Sequence, residues 1–415
     1  MLRVEEAREL VLRRAGARRV MRLPLEQALG LILAEDLVAP EPLPSFPRSG
    51  MDGYALHSGA TQTASREAPV VLPLSGVIPA GHPLSASLTP GSCASIMTGG
   101  AIPDGADAVI RLEEVRVTPE GIAIYRPVNR AENVSPVGED VALGQVVLKA
   151  GHKIRPPEVN LLAAVGIMEV PAYIPPRVGI LTTGDELVPA GTVPGPGQIR
   201  NSNGPGLAAL VRSCGCTPVD LGLARDVTDV IAGAIGHAVG CDLILTTGGV
   251  SVGDFDVVRE ALTVIGAEQL FWRVAIKPGT PVCAAVVEGR LVIGLSGNPA
   301  AAITNFDLLV RPLLNSLCGR ERLGLREGEA VLDQPVLRSL ALTRFLRARV
   351  YNGPDGDLHV DTDLAQRAGV LSSMMFANGY AVVPDHIGPL PAGTRVKVLL
   401  QDDADVQIPA ALLVQ

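Results

Sequence analysis

Ile180-Leu181-Thr182-Thr183-Gly184 and Leu243-Ile244-Leu245-Thr246-Thr247-Gly248 are nearly the same string, and each is an apolar run that ends in two threonines and a glycine. Around them, strand-like runs at 178–182, 217–221, 242–246, 282–287 and 291–295, with another near 271–276, are interspersed with helical patterns at about 203–213, 227–239 and 256–265. A further long helix begins at Asn298. Strands alternating with helices predict a largely parallel sheet with helices on both faces.

Outward from this α/β module the pattern changes. The tail, about 325–405, reads as β, and its runs 344–351 and 357–360 flank the hairpin signal Asn352-Gly353-Pro354-Asp355-Gly356. Upstream, 68–148 also reads as β, with short runs at 70–74, 95–97, 108–112 and 122–125 between Gly/Pro turns. Pro-rich stretches border that region at 40–50 and 142–176, and the second encloses a short helix at 157–165 stopped by Gly166. Residues 1–38 read as helical, with one apolar stripe at Val4, Ala7, Leu10 and Val11 and another at Leu25, Ala28, Leu29 and Ile32.

At about 150 residues per domain, 415 residues make two to four domains. Apolar residues at 47% and charged residues at 19% describe globular material, and only 3% aromatics leave the core to Val, Leu, Ile and Ala. The net charge of −8 argues against a general nucleic-acid binder. It leaves room for a phosphorylated ligand, which a few local cations and backbone amides suffice to hold. The six cysteines show no CxxC spacing and the histidines no HxH or HxxxH, so a zinc site is not expected. Free thiols, a charged N-terminus and no run near the ~18 residues of a membrane span lead us to expect a cytoplasmic protein without a membrane segment.

In open α/β sheets, ligands bind beyond the C-terminal ends of the strands. Three Gly/Ser/Thr-rich loops gather there, after Thr182, after Thr246 and at Ser296-Gly297-Asn298-Pro299. Turn and cap chemistry accounts for any one of them. Three in a row, each followed by a helix, favour an anion site built from Thr183, Gly184, Gly248, Gly249, Ser251, Gly253, Ser296, Gly297 and Asn298. Glu186, Asp226 and Asp256 each follow a strand end, and carboxylates beside a phosphate suggest Mg²⁺. Asp185 and Asp254 read as solvated loop acids. Lysine occurs only four times, so Lys277 at a strand end is a candidate oxyanion contact. Asp52, Thr98 and Asp140 sit among small residues in the β region, where either a ligand or a turn former fits. No Cys/His pair, Walker A loop or GxGxxG fingerprint is present in the α/β part.

Taken together, SGMDGYAL at 49–56, IMTGGAIPDGADAVI at 96–110, GED at 138–140, TTGDEL at 182–187, TTGGVSVGDFD at 246–256, AIKPGTP at 275–281 and GLSGNP at 294–299 resemble, in order, the molybdopterin molybdenumtransferase family, which includes the gephyrin E domain. The resemblance implies a multidomain fold of α/β and β parts. These are a discontinuous linker domain (1–42 and 142–176), a β domain (43–141), an α/β module with a mostly parallel sheet (177–324) and a C-terminal β barrel (325–415). It implies molybdate insertion into adenylylated molybdopterin with release of AMP, a homodimer, Mg²⁺ held by Glu186 and Asp256, and a molybdopterin adenylyltransferase as partner. Asp52, Thr98, Asp140, Glu186, Asp226, Asp256 and Lys277 match the family's functional positions; Pro281, Arg347 and Ser373 are further substrate contacts by resemblance.

The chain departs from the family at Thr280, where a second lysine is usual, and at Gln366-Arg367-Ala368-Gly369, where a Ser-rich stretch is usual. These changes keep a tungstate-preferring insertase, or a pterin-binding scaffold paralogue, as alternative readings.

Overall fold

The computed structural model describes residues 1–82, 87–249, 257–338 and 340–401. It divides into two compact units, one of Met1–Met21 with Tyr173–Gln415 and one of Arg22–Ala172.

The first unit opens with α1 (Val4–Arg13). The Arg3 N–H donates to the Glu6 carboxylate at 2.8 Å, which satisfies one of the amides left open at the helix start. Val4, Ala7 and Val11 are buried on one stripe, in one apolar cluster with the central sheet. The α/β layer follows as β1 (Arg177–Thr183), α2 (Asn203–Ser213), β2 (Thr217–Ala224), α3 (Thr228–Gly236), β3 (Leu243–Thr247), α4 (Val257–Val264) and β4 (Glu268–Phe271). After β5 (Ile276–Lys277), it resumes with β6 (Cys283–Val287), β7 (Arg290–Leu295) and α5 (Pro299–Asn305), which runs on through a π-helical stretch, Phe306–Val310, into α6 (Arg311–Leu317).

The sheet order is β2-β1-β3-β7-β6-β4. The four strands β2, β1, β3 and β7 are mutually parallel, while β6 and β4 pair antiparallel at one edge. Strands buried on both faces read as continuous apolar runs, and β3 is buried throughout. Separate apolar clusters pack on the two faces.

The tail folds as β8 (Arg326–Leu332), β9 (Thr343–Asn352), β10 (Leu358–Asp361), α7 (Ser372–Phe376), β11 (Gly379–Val383) and β12 (Arg395–Leu400). Strands β9-β10-β8-β12-β11 close on themselves because β11 also pairs with β9, which makes a five-stranded barrel. The expected hairpin is the antiparallel β9–β10 pair, and Gly356 takes the positive φ its turn needs.

Two expectations are corrected. The run near 271–276 is not one strand of the α/β sheet. It splits, and β5 joins the barrel, parallel to β9, with Lys277 opposite Arg344. The second N-terminal stripe is not a helix either: strand Val20–Pro24 precedes a single 3-10 turn, Leu25–Gln27. Pro24 and the positive φ of Gly30 bracket that turn, and Leu25, Ala28 and Ile32 are buried without helical geometry.

The second unit holds a four-stranded sheet in the order Leu74–Ile78, Cys93–Ile96, Gly53–Leu56, Ala108–Arg111, and a three-stranded sheet of Val70–Leu72, Gly121–Ile124 and Val115–Thr118. A helix, Pro156–Ala164, sits over a separate apolar cluster around Leu33 and Leu162. A Cβ on Gly53 would lie 2.0 Å from the Ile110 carbonyl oxygen, so this glycine allows the close pairing of neighbouring strands. All six cysteines are free and buried. No helix among the described residues is long and apolar enough to cross a membrane.

Candidate functional site

Register brings the three loops to one level. Thr182 pairs with Thr247, and Thr247 with Leu295, so β1, β3 and β7 end side by side. Beyond those ends lies a cavity of about 650 Å³. Thr183, Gly184, Glu186, Asp226, Gly248, Gly249, Pro281, Ser296, Gly297 and Asn298 all line it.

The loop backbones are held by a polar mesh. Thr247 Oγ1 donates to the Ser296 carbonyl at 3.0 Å, and Asn203 Nδ2 donates to Thr247 Oγ1 at 2.8 Å and to the Gly297 carbonyl at 2.9 Å. Asn201 accepts from the Gly204 N–H at 2.9 Å. These asparagines escaped the sequence reading. Their signal was Asn201-Ser202-Asn203 just before a helix, a pattern that cap chemistry alone explains. Asn298 stands at the N-cap of α5 and Pro299 opens that helix, yet the Asn298 side chain makes no capping bond.

Gly248 shows why glycine is needed. Its φ is +92°, and a Cβ there would lie 2.1 Å from the Thr183 carbonyl oxygen. The ends of β1 and β3 thus approach more closely than any other residue permits.

Carboxylates stand at the cavity wall. Asp226 is half-buried and its Oδ1 is buried with no hydrogen-bond partner. Burial pushes its carboxyl above the ordinary range, and the charges of Asp185 and Glu186 add to the shift. Glu186 is exposed. Asp185 is paired with Arg225 at 3.1 Å on the surface. Among the described residues, no group of three His, Cys, Asp or Glu side chains stands ready to hold a metal.

A second cavity, of about 860 Å³, shares Pro281, Ser296 and Asn298 with the first. Lys277 and Thr280 line it, with Arg338, Arg344 and Arg367 from the tail. The Thr280 hydroxyl donates to the Ile276 carbonyl at 2.6 Å. Arg338 and Arg344 went unread because arginine is abundant in this chain while lysine is rare.

Arg347 is fully buried and lies outside the residues that line the two cavities. Its Nη2 donates to the carbonyls of Ala365 and Arg367, while Nε and Nη1 have no partner. Ser373 is buried, and its hydroxyl donates to the Val370 carbonyl at 2.8 Å. Ser251, Gly253 and Asp256 lie outside the described residues.

Asp52, Thr98 and Asp140 belong to the other unit. The structure joins the first two: Asp52 Oδ1 accepts the Thr98 N–H at 2.7 Å and its hydroxyl at 2.9 Å. The backbone bond first, then the hydroxyl, hold the Asp52 carboxyl below its usual range. Asp140 is exposed, and its N–H donates to the Leu43 carbonyl at 3.0 Å.

An open α/β sheet with small-residue loops at its C-terminal strand ends, acids at the rim and a closed β barrel bringing cations beside them is the arrangement in which a ligand site of an α/β protein is expected. Three family models match in order: "MoeA N-terminal region (domain I and II)" over residues 2–166, "Probable molybdopterin binding domain" over 179–316 and "MoeA C-terminal region (domain IV)" over 329–401. The chain is 33% identical over 403 residues to the molybdopterin molybdenumtransferase of Staphylococcus aureus (strain MSSA476), covering 96% of this chain and 95% of the relative. It is 36% identical over 381 residues to that of Bacillus subtilis (strain 168), covering 91% and 88%. A crystal structure of a molybdopterin biosynthesis MoeA protein from Pyrococcus horikosii matches at TM-score 0.85 and 32% identity, over 96% of this chain and 99% of that one. The chain belongs to the molybdopterin molybdenumtransferase family, enzymes of molybdenum cofactor biosynthesis.

Proposed function

We propose that the chain inserts molybdate into the dithiolene of adenylylated molybdopterin and releases AMP. One observation carries this reading: a cavity floored by the strand-end loops adjoins a cation-lined cavity, and the two share Pro281, Ser296 and Asn298. The first suits a pterin phosphate and its pyrophosphate link, held by backbone N–H groups. The second suits a small oxyanion beside it.

Mg²⁺ fits the acids of the first cavity. The buried, partnerless Asp226 Oδ1 is a hard oxygen without a donor, and Glu186 stands on the same wall. This ion takes one or two carboxylates with phosphate oxygens and water, so a preformed cluster of three acids is not required. Glu186 and Asp226 would hold it, with Asp256 as the carboxylate the resemblance adds. When bound, it supplies charge neutralisation at the pyrophosphate. The loops at Gly184, Gly248 and Gly297 orient the substrate, Lys277 supplies positive charge in the adjoining oxyanion cavity, and no covalent enzyme intermediate is needed. By the same resemblance, the working form is a cytoplasmic homodimer that receives its substrate from a molybdopterin adenylyltransferase.

The test is to mix the protein with adenylylated molybdopterin, Mg²⁺ and molybdate and to measure AMP. Release that depends on both Mg²⁺ and molybdate supports the reading, and tungstate in a parallel arm reads metal preference. No release above the protein-free rate refutes it.

A further inference from the structure

The cavity of about 860 Å³ has an unusual charge pattern. Lys277, Arg338, Arg344 and Arg367 line it, and no acid among the described residues does, in a chain whose acids outnumber its bases. Thr280 and Ser296 line it as well. Two of the cations are strand partners: β5 pairs parallel with β9, and the register sets Lys277 opposite Arg344. Like charges directly opposite on neighbouring strands repel, so the pair is an arrangement that an anion would stabilise.

Arg344 is the telling member. It is only 8% exposed, and its Nε and Nη2 are buried with no hydrogen-bond partner. Leaving such donors unsatisfied costs free energy, more for a charged group than for a neutral one. Burial lowers the guanidinium below its ordinary pKa, and an arginine side chain keeps its charge in proteins. Nε and Nη2 form one edge of the guanidinium, the edge that meets two oxygens of a tetrahedral oxyanion at once. Arg347, three residues on, also has unpartnered nitrogens, but it gives its Nη2 to two carbonyls and does not line the cavity, and Thr280 brings no charge.

We propose that Arg344 is the residue that grips the oxyanion substrate, its Nε/Nη2 edge and the Lys277 ammonium holding one tetrahedral dianion between them. The identification of that dianion as molybdate rests on the function proposed above. The shared chemistry also describes sulfate and phosphate, and the experiment separates these.

Equilibrium dialysis of the full chain against molybdate, tungstate, sulfate and phosphate reads binding without turnover. The expected result is that Arg344→Met raises the molybdate Kd at least about tenfold, as loss of a charged hydrogen-bonded contact does. The rise in melting temperature that molybdate gives the wild type should vanish in the variant. Adding Thr280→Lys to Arg344→Met places a cation in the same cavity lining and should recover most of the lost affinity. If Arg344→Met does not fold, Arg344→Lys is read in its place; it keeps the charge, loses the two-donor edge and should raise the Kd severalfold.

A folded Arg344→Met protein, or Arg344→Lys where that is the variant read, with wild-type molybdate affinity overturns the proposal. So does a wild-type site that holds sulfate or phosphate as tightly as molybdate. The two readings fail separately. Arg344-dependent molybdate binding without AMP release sinks the proposed function and leaves this inference standing; AMP release with molybdate affinity indifferent to Arg344 does the reverse.

Discussion

Replacing Gly248 with alanine tests whether the anion loops are held by backbone contact. The substitution has two costs. At φ +92° an L residue is strained by roughly 1–2 kcal/mol. Its Cβ would also lie 2.1 Å from the Thr183 carbonyl oxygen, where real Cβ atoms keep at least 3.0 Å, so backbone must move by about 1 Å. Thr183 is buried at the end of β1, and forcing such a shift in a packed region costs roughly 1–3 kcal/mol more. The expected loss is therefore roughly 2–5 kcal/mol of stability. Because a misplacement of about 1 Å at the reacting groups costs on the order of a hundredfold in rate, AMP release should fall by about that factor. Gly240→Ala is the control: φ is +79° there, but a Cβ meets nothing within 4 Å, so only the dihedral cost remains. Thermal melting and single-turnover AMP release of both variants decide the matter. If Gly248→Ala melts like Gly240→Ala and keeps its rate within about twofold of wild type, the close approach to Thr183 does not position the loop.

Glu186→Gln and Asp226→Asn should each abolish AMP release in a folded protein, which circular dichroism and the release assay check together. Asp226→Asn should also raise melting stability at neutral pH. The raised carboxyl pKa stabilises the fold only below the ordinary aspartate range and is lost as pH rises through the folded value, so the gain from the Asn variant should vanish in acid. The two ring nitrogens of His359 face the carboxylates of Asp333 (2.9 Å) and Asp355 (3.1 Å), which accept from the protonated ring and raise its pKa, the Asp333 bond foremost. Its stabilisation of the β9–β10 hairpin is full below the ordinary histidine value and lost as pH rises through the raised one; His359→Gln should flatten that part of the melting-versus-pH curve. Light scattering at micromolar concentration should give a dimer mass, and a fully active monomer would refute the homodimer.

Much of the α/β layer was legible because its signals are local. Helix α2 falls on the residues its periodicity and the following Gly215 predicted, and β1, β3 and β7 announce themselves as apolar runs closed by Thr-Thr-Gly or Ser-Gly. The stripe at Leu25, Ala28 and Ile32 misled because burial alone produces helix-like spacing: a 3-10 turn carries Leu25 and Ala28 into one small core, and Ile32 is buried beyond it without a helix between them. The strand near 271–276 misled for a different reason. Local pattern shows that Ile276 and Lys277 are extended, but not that their partners are Thr343 and Arg344, some 67 residues away.

The same distinction divides the site. The strand-end loops are written in short strings, because the close approach of neighbouring strand ends requires glycine at particular positions, as at Gly248. The cationic cavity is not. Lys277 drew notice through the scarcity of lysine, whereas Arg344 is one arginine among many and gains meaning only when β5 is laid beside β9. Thr280 looked like a lost charge for as long as charge was counted along the strand Ile276–Lys277 and the loop after it. With the barrel in place, the count runs across strands, and the buried edge of Arg344 supplies a cation from the neighbouring one. A substitution that removes a ligand-binding charge from one strand is therefore not evidence of a weakened site until the cations of every strand lining the same cavity have been placed.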